Sequence, residues 1–518
     1  RFSLDPNQLD YIVPYKQFNE YTRRNSNRRL DDEEVQKRYV HYKEKFAARQ
    51  LSNFFSANKD KQWFLEKYHP AQSRARHEDM IERRKRYLKE FMVSLERGEL
   101  DNVQLDKVAE EESDVKQEVI KEEEEEEEYE SRLIIKTVPP TIAREKILEM
   151  CSKVDGFDYL SLSEPQPMRK FHRIGWICFK PGTNIQFVFE QLDNQKVDDF
   201  IFHLALNRKN TVQNRTPRVA PEISQSIERL KKDLEQIREL ALALEAMLSD
   251  DPEGGLRAVE KRTDQVIASQ TEHNETSKLK KRLDMLIAYL RHVHMYCYYC
   301  AIECDSLEEL NRKCCEPHCR STTTTSDEGN NTDTRQPSKT EKGAMLWAKN
   351  LDQKISMKIH TPDERELKKL GGRLFQAEID EFVRIHVLKE HDSKFKCQVK
   401  ECSKAFKGFD YVEKHILTKH ADEIERKRIE VDYFNNYVCD PNHLLPSQQQ
   451  SGPVVQQQSA PFIMRPPAIS WEQIPRLGID MSFRRPRADE SFPKDPRQVK
   501  SYVDLDAPAE GDSNVSFF

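Results

Sequence analysis

The chain has 518 residues, of which 37% are hydrophobic and 34% are charged, so we expect roughly three to four domains with modest cores, exposed helices and disordered linkers. The formal net charge of −6 hides strong local segregation of charge, so the total charge indicates no polyanionic partner. No apolar run approaches the ~20 residues of a membrane-spanning helix, and the eleven cysteines lack the pattern of a secreted disulfide scaffold. Membrane proteins and disulfide-rich secreted proteins are therefore excluded, and a reducing compartment, the nucleus or the cytosol, is favoured. Because the chain starts with Arg1 rather than Met, we also expect an upstream segment.

Residues 1–100 are predicted to form a helical domain. Asp31 and Asp32 are candidate N-caps for a helix whose apolar side chains recur at the spacing of one helix face. These side chains are Val35, Tyr39, Tyr42 and Phe46. A later helix carries the basic run 83–86, Arg-Arg-Lys-Arg. For that run we favour a solvated helix face over contact with RNA.

From residue 101 to residue 130 the composition becomes acidic and ends in consecutive glutamates, Glu122 to Glu128. A run of like charges repels itself and buries no apolar surface. We therefore predict a disordered acidic linker after the first helical domain.

Residues 131–209 have the order strand, helix, strand, strand, helix, strand, which resembles the RNA-recognition motif, a ferredoxin-like four-stranded sheet. In that family, aromatic rings on the two central strands stack on bases. Here Ile134 and Ile174 stand at stacking positions, although Trp176 and Phe179 fit the pattern. Loss of such a ring removes ~1–3 kcal/mol of binding per base. We therefore predict a degenerate, scaffolding domain with RNA contact limited to loop residues Arg169, Lys170 and Arg173.

Residues 210–319 are predicted to form a helical hairpin with a cysteine-rich end. Apolar residues recur alternately every four and three positions from Ile223 to Leu248 and again from Leu279 to Val293, and Gly254-Gly255 interrupts the pattern. Two such stripes favour an antiparallel hairpin packed face to face. Dimerisation through the first helix is the alternative, and we expect a monomer.

A group of potential metal ligands follows the second stripe: Cys297, Cys300, Cys304, Cys314, Cys315, His318 and Cys319. The C-x2-C pair makes a second zinc site an alternative. We favour the packed end of a helix instead, because the spacing fits no known ligand pattern and tyrosines surround the first cysteines. Residues 320–340 are predicted to be a polar, disordered loop.

Residues 341–443 are predicted to be a helical segment that contains a single Cys2His2 zinc finger at 395–420. The spacing C-x4-C-x12-H-x4-H is that of a tetrahedral zinc site, with ligands Cys397, Cys402, His415 and His420. All four positions are filled by protein, so the predicted site is structural and not catalytic. The alternative is two unrelated cysteines near two helical histidines.

Lysines give the finger a basic surface suited to phosphates or to an acidic peptide. A lone finger with Gly408 at a base-reading position is not expected to recognise a DNA sequence. A merely solvated lysine face is the alternative. The lysines are Lys404, Lys407, Lys414 and Lys419.

Residues 444–518 are predicted to be a disordered tail rich in Gln and Pro. Its last part, Asp495–Phe518, combines acidic residues with isolated apolar ones, which is typical of a linear motif that orders on a partner. The apolar residues are Tyr502, Leu505, Phe517 and Phe518.

These stretches together resemble one family. LDPNQLDYIVPYKQF near the start, the degenerate RNA-recognition motif, FKGFDYVEKHILTKH in the finger and SYVDLDAP with the final FF resemble Serrate, also called arsenite-resistance protein 2. The resemblance implies a mainly α, multidomain, non-enzymatic nuclear adaptor. It would join the nuclear cap-binding complex to RNA-processing and decay effectors, including those of primary microRNA processing.

The resemblance also implies two docking sites. The tail would bind the cap-binding complex, and the finger would receive acidic effector peptides at Lys404, Lys407 and Lys419. An enzyme is not expected, because the sequence has no Gly-rich phosphate loop and no nucleophile–base pattern. The alternative function is direct RNA binding through Lys and Arg patches.

Overall fold

The computed structural model describes residues 5–107, 129–208, 218–248, 251, 254–269, 274–321 and 339–445. Within these ranges the chain is mainly helical and contains one four-stranded antiparallel sheet, as the sequence predicts. None of the helices described combines the length and the apolarity needed to cross a bilayer. The acidic run 108–128, the polar loop 322–338 and the tail 446–518 lie outside the described residues, as do the predictions made for them, including Tyr502, Leu505, Phe517 and Phe518.

The chain begins with helices α1 (Tyr15–Arg24), α2 (Asp32–Asn58), α3 (Gln62–Tyr68) and α4 (Arg74–Arg97). Asp31 caps α2, since its carboxylate accepts a hydrogen bond from the backbone N–H of Glu33 at 2.7 Å. The apolar face predicted on this helix is confirmed, with Val35 and Phe46 buried.

A small strand, β1 (Asp106–Lys107), precedes the sheet domain. The domain comprises β2 (Tyr129–Val138), α5 (Arg144–Cys151), β3 (Phe157–Leu162), β4 (Arg173–Phe179), α6 (Ile185–Leu192), β5 (Lys196–Val197), β6 (Phe200–Ile201) and β7 (Leu204–Arg208). Its main sheet has the antiparallel order β3-β4-β2-β7. One face packs on α5 and α6 through buried residues such as Leu133, Ile135 and Ile177. The predicted RNA-recognition-motif fold is confirmed.

The next segment contains β8 (Val219–Ala220), α7 (Ile227–Glu245), α8 (Gly254–Ser269) and α9 (Glu275–His294). The structure differs from the predicted hairpin, because α8 begins at Gly254 where the sequence indicates an interruption. The Glu245 carboxylate on α7 accepts hydrogen bonds from the backbone N–H groups of Gly255 and Leu256. The backbone N–H groups of the first turn of α8 thus find their hydrogen-bond acceptor on a different helix. A cap of this kind cannot be recognised from the residues next to the helix start. Helix α4 completes this core through Phe91.

The cysteine-rich region contains the hairpin β9 (Tyr296–Cys297) and β10 (Ile302–Glu303), then α10 (Leu307–Lys313) and β11 (Cys319–Ser321). Strands β1, β11 and β8 form a small parallel sheet. The first residues of the predicted acidic linker are therefore anchored in the core before the run of glutamates.

The C-terminal helices are α11 (Lys339–Ile359), α12 (Glu364–Leu370), α13 (Phe375–His386), α14 (Phe409–Lys419) and α15 (Ala421–Val438), and the strands are β12 (Val387–His391), β13 (Lys394–Cys397) and β14 (Ala405–Phe406). Helix α15 returns to the N-terminal helices. The ring of Phe434 lies 5.0 Å from that of Phe55, and the ring of Tyr437 lies 5.1 Å from that of Phe64. The first and last described segments therefore share one aromatic core.

Candidate metal centre and recognition surfaces

The finger at 395–420 is built on a small hydrophobic frame. Phe395 and Phe406 lie opposite each other across β13 and β14, and Val412 and Ile416 of α14 are fully buried. Strand β12, which precedes the predicted finger, adds a third strand that pairs with β13. This frame presents both cysteines and both histidines toward one point.

The four predicted ligands converge. Cys402 Sγ lies 3.3 Å from His415 Nε2, and Cys397 Sγ lies 3.6 Å from His420 Nε2. All four ligand atoms lie within 4.8 Å of one another. Tetrahedral zinc bonds of about 2.0–2.3 Å place ligand atoms roughly 3.3–3.8 Å apart, so the donor set and its spacing fit zinc. With all four positions supplied by protein, the ion would stabilise the finger and would have no open position for a substrate.

The four predicted lysines of the finger are all exposed. Within the described part of the chain, Lys404, Lys407, Lys414 and Lys419 pair with no acidic side chain. Other finger lysines do have partners: Lys394 and Lys396 pair with Glu390, and Lys400 pairs with Asp422 and Glu423. Some lysines of this region therefore form ion pairs within the fold, whereas the four predicted lysines remain available to bind a ligand.

Helix α10 covers the sheet face opposite α5 and α6. Tyr159 and Ser161 of β3 lie on this face, because Leu160 between them points into the core and side chains alternate along a strand. The Tyr159 hydroxyl donates to Glu308 Oε1 at 2.9 Å, and Ser161 Oγ lies 2.5 Å from Ser306 Oγ. The open face of the sheet is thus an interface within the chain.

Side chains of the central strand β4 are also buried on this face. Trp176 and Cys178 share the covered face and are 8% and 6% exposed. Phe179, which fits the family pattern in sequence, belongs to the core on the opposite side. Proteins with an RNA-recognition motif stack bases on the face that α10 covers here. This coverage supports a scaffolding role for the domain.

The three basic residues predicted to contact RNA do not form one surface. Arg169 and Lys170 are exposed in the loop between β3 and β4. Arg173 is only 5% exposed, and its guanidinium donates to Glu66 Oε2 at 2.6 Å. Arg173 therefore connects the sheet to α3 and does not present its charge to solvent, which corrects that part of the prediction. Contact through Arg169 and Lys170 stays a prediction.

The cysteine-rich region brings four potential ligands together. Cys297 Sγ lies 3.6 Å from Cys314 Sγ, and Cys300 Sγ lies 3.0 Å from His318 Nε2. These four atoms lie within 4.8 Å of one another. The predicted packed helix end is also present, since Tyr296, Tyr298 and Tyr299 are buried. Packing and ligand convergence, which the sequence predicts as alternatives, therefore coexist.

The predicted solvated face for the run 83–86 is wrong for Arg83 and Arg84. Arg84 is 1% exposed, and the Arg83 guanidinium lies 4.6 Å from the centre of the Tyr159 ring. The sequence does indicate the burial of Arg84. This residue precedes Leu88 by four positions and Phe91 by seven, which places it on the apolar side of α4. Basic character alone led to the wrong prediction.

Comparison with known proteins gives matches along most of the chain. Family models match at residues 17–128 (SERRATE/Ars2, N-terminal domain), 129–209 (Serrate RNA effector molecule homolog, RNA-recognition domain) and 328–502 (Arsenite-resistance protein 2). A domain model of unknown function matches residues 269–318, which include the second ligand cluster.

Similar curated proteins carry the name Serrate RNA effector molecule homolog. One from Xenopus laevis is 26% identical over 74% of this chain and 52% of its own length, and one from Drosophila melanogaster is 25% identical over 80% of this chain and 49% of its own length. The chain thus spans about half the length of these relatives. A solved structure described as "Molecular insights into miRNA processing by Arabidopsis Serrate" is 17% identical and covers 82% of this chain and 97% of that one, at a TM-score of 0.26, which is too low to indicate a shared overall arrangement.

Proposed function

Because this chain belongs to the SERRATE/Ars2 family, we propose that it is a non-enzymatic nuclear adaptor. It links the nuclear cap-binding complex on capped RNA to RNA-processing and decay effectors, including those of primary microRNA processing. Its finger holds a structural zinc ion through Cys397, Cys402, His415 and His420. The name shared by its relatives and the match to their RNA-recognition domain support an assignment to RNA metabolism.

The observation that carries the proposal is the group of four exposed finger lysines without acidic partners among the described residues. They lie on or beside α14, which a metal would rigidify, so a ligand meets charges that need little further ordering. Each charge-assisted hydrogen bond contributes about 1.5–3 kcal/mol before desolvation is subtracted. Tyr411, 63% exposed on the same helix, adds apolar surface. This combination suits a short acidic peptide of an effector protein.

Charge reversal at Lys419 tests this surface. Lys419→Glu should reduce the affinity for acidic effector peptides at least tenfold, because it replaces attraction with repulsion at an exposed site. Raised salt should weaken the wild-type complex for the same reason. Peptide titration by calorimetry or fluorescence anisotropy measures both effects.

Lys389→Glu is the matched control, since it makes the same change of charge on β12, the strand that pairs with β13 of the finger, at a lysine that pairs with Asp392. It should leave peptide affinity near that of the wild type, and both variants should keep their metal content. RNA titration on the same proteins separates the two functions. If Lys419→Glu loses RNA but keeps peptides, the finger is an RNA contact and the adaptor assignment for this surface is wrong.

The C-terminal tail is proposed as the site for the cap-binding complex. Its acidic and apolar composition, with Tyr502, Leu505, Phe517 and Phe518, suits a segment that orders on a partner. Deletion of residues 495–518 should abolish association with the purified cap-binding complex and leave thermal unfolding of the helical core unchanged. Equal binding by the truncated and complete chains would show that the complex docks elsewhere.

A further inference from the structure

We propose that Cys297, Cys300, Cys314 and His318 form a second structural zinc site, which fixes α10 against the open face of the sheet domain. This site is independent of the finger and of the proposed adaptor function. Its ligands have the spacing C-x2-C-x13-C-x3-H. The first pair lies at the β9–β10 hairpin and the second pair follows α10.

The donor set fits zinc. The separations of 3.6 Å between Cys297 Sγ and Cys314 Sγ and of 3.0 Å between Cys300 Sγ and His318 Nε2 lie near the roughly 3.3–3.8 Å edges of a tetrahedral zinc site. Three sulfurs and one imidazole are a ligand combination that structural zinc sites use. The site is also enclosed, since three of the four ligands are buried and Cys300 is half-buried.

Two arginines lie next to the ligands, one beside a sulfur and one hydrogen-bonded to the backbone of a ligand residue. The Arg218 Nη1 atom lies 3.6 Å from Cys300 Sγ, and its Nη2 donates to the carbonyl of Lys313 at 2.8 Å. The Arg291 Nη2 atom donates to the carbonyl of Cys314 at 2.6 Å. Three thiolates and one neutral imidazole around Zn²⁺ leave one net negative charge, which a nearby guanidinium offsets. Such outer contacts orient ligands and tune metal binding.

Burial alone does not explain the convergence. Cysteine is often buried as a small apolar residue, and Cys304 shows that behaviour nearby, since it is 3% exposed in the same cluster of buried residues. Its sulfur is not among the converging ligand atoms. Cys315, next to the ligand Cys314, is also outside the group. The region therefore contains cysteines that only pack and cysteines that meet a histidine at one point.

The site has a consequence for α10. A helix of seven residues is unstable alone, and the proposed zinc ties the segment that follows it to the β9–β10 hairpin. On the other side, α10 contacts the sheet through Glu308 with Tyr159 and through Lys313 with Glu164 at 2.6 Å. Loss of the metal should therefore release α10 and uncover the sheet face that contains Trp176.

Zinc stoichiometry of the full chain tests the site. Native mass spectrometry should find two zinc ions in the wild type, one in Cys314→Ser, one in Cys402→Ser and none in the double variant. Cys315→Ser is the matched control and should keep two. A folded wild type with one zinc ion, or a Cys314→Ser variant that retains two, would overturn the proposal.

Cobalt substitution gives a second readout that does not depend on the folding of Cys314→Ser. The Cys402→Ser protein loaded with Co²⁺ should show tetrahedral ligand-field bands with intense thiolate charge transfer, because three sulfurs remain in the second site. Hydrogen exchange should then rise at residues 307–313 and in β3 when zinc is removed from this protein by chelation. Absence of tetrahedral cobalt bands, or unchanged exchange at α10 after metal loss, would each contradict the assignment.

Discussion

Arg84 acquires its role from partners that are distant in sequence. Its Nη2 atom lies 2.9 Å from Glu303 Oε1, and Lys358 Nζ lies 2.5 Å from the other oxygen of the same carboxylate. Burial would raise the pKa of Glu303, but Lys358 and Arg84 hold it well below its ordinary value. This largely buried cluster joins α4, β10 and α11, because the Glu303 carboxylate pairs with a cation from each of the two helices.

Removal of Arg84 should lower the free energy of unfolding. Arg84→Ala leaves Glu303, whose side chain is 23% exposed, with Lys358 as its remaining partner, so the cost should approach but not exceed the roughly 3–5 kcal/mol of breaking a fully buried ion pair. The neighbouring exposed Lys85→Ala should change the free energy of unfolding by no more than about 0.5 kcal/mol. Urea denaturation followed by circular dichroism compares the two variants. Equal stability of both would show that the Arg84 pair does not hold these elements together.

At the scale of elements, the position of α10 determines whether the open face of the sheet is available to bind RNA. A sheet of this fold usually offers its open face to single-stranded RNA. Here Ser306 and Glu308 occupy that face, and Arg83 contacts the ring of Tyr159 from α4. The domain therefore serves as a surface on which two helical segments assemble.

RNA titration with full-length variants tests this role. Trp176→Ala should leave RNA affinity within about twofold of the wild type, because Trp176 is only 8% exposed and no stacking energy of ~1–3 kcal/mol is available to lose. Reversal of the exposed loop charges, Arg169→Glu with Lys170→Glu, should weaken binding and reduce its salt dependence. A large loss of sequence-selective binding in Trp176→Ala would show that RNA displaces α10.

At the scale of the whole molecule, one ionic cluster joins segments from the start, middle and end of the described chain. Lys67 of α3 lies 2.8 Å from Glu164 and 2.9 Å from Asp440, and Lys313 of α10 lies 2.6 Å from Glu164. Burial would raise the pKa of Glu164, but Lys67 and Lys313 hold it well below the ordinary value of 4.5. Lys67 likewise lowers the pKa of Asp440 against the effect of burial.

This cluster predicts acid sensitivity. Because the folded-state pKa values are depressed, the unfolded chain binds more protons in the acid range, so the cluster stabilises the fold at neutral pH and loses this contribution as the pH falls below about 4.5. Glu164→Gln should flatten the fall in the thermal midpoint between about pH 5 and pH 3. Glu149→Gln, at an exposed helical pair with Lys153, should follow the wild-type curve. If the thermal midpoint of Glu164→Gln falls with pH as steeply as that of the wild type, the Glu164 carboxylate is not the source of the acid sensitivity.

Local patterns in the sequence determined the features that depend on near neighbours. The cap at Asp31, the apolar face of α2 and the order of strands and helices along the sheet domain are set by local sequence, and the four ligands of the finger lie within the single stretch Cys397–His420. Helix and strand periods and zinc-ligand spacing are short-range properties. For this reason they could be predicted without knowledge of the other segments.

Only the tertiary structure decided features whose partners are far apart in the chain. The cap that Glu245 gives to α8, the burial of Arg84 and Arg173, and the coverage of the sheet by α10 each join residues at least ten positions apart. A charged residue has no local signature that tells whether a partner will meet it in the core, since the cost of burial depends on that partner. The second group of cysteines and His318 likewise becomes a candidate site only where the β9–β10 hairpin and the end of α10 meet.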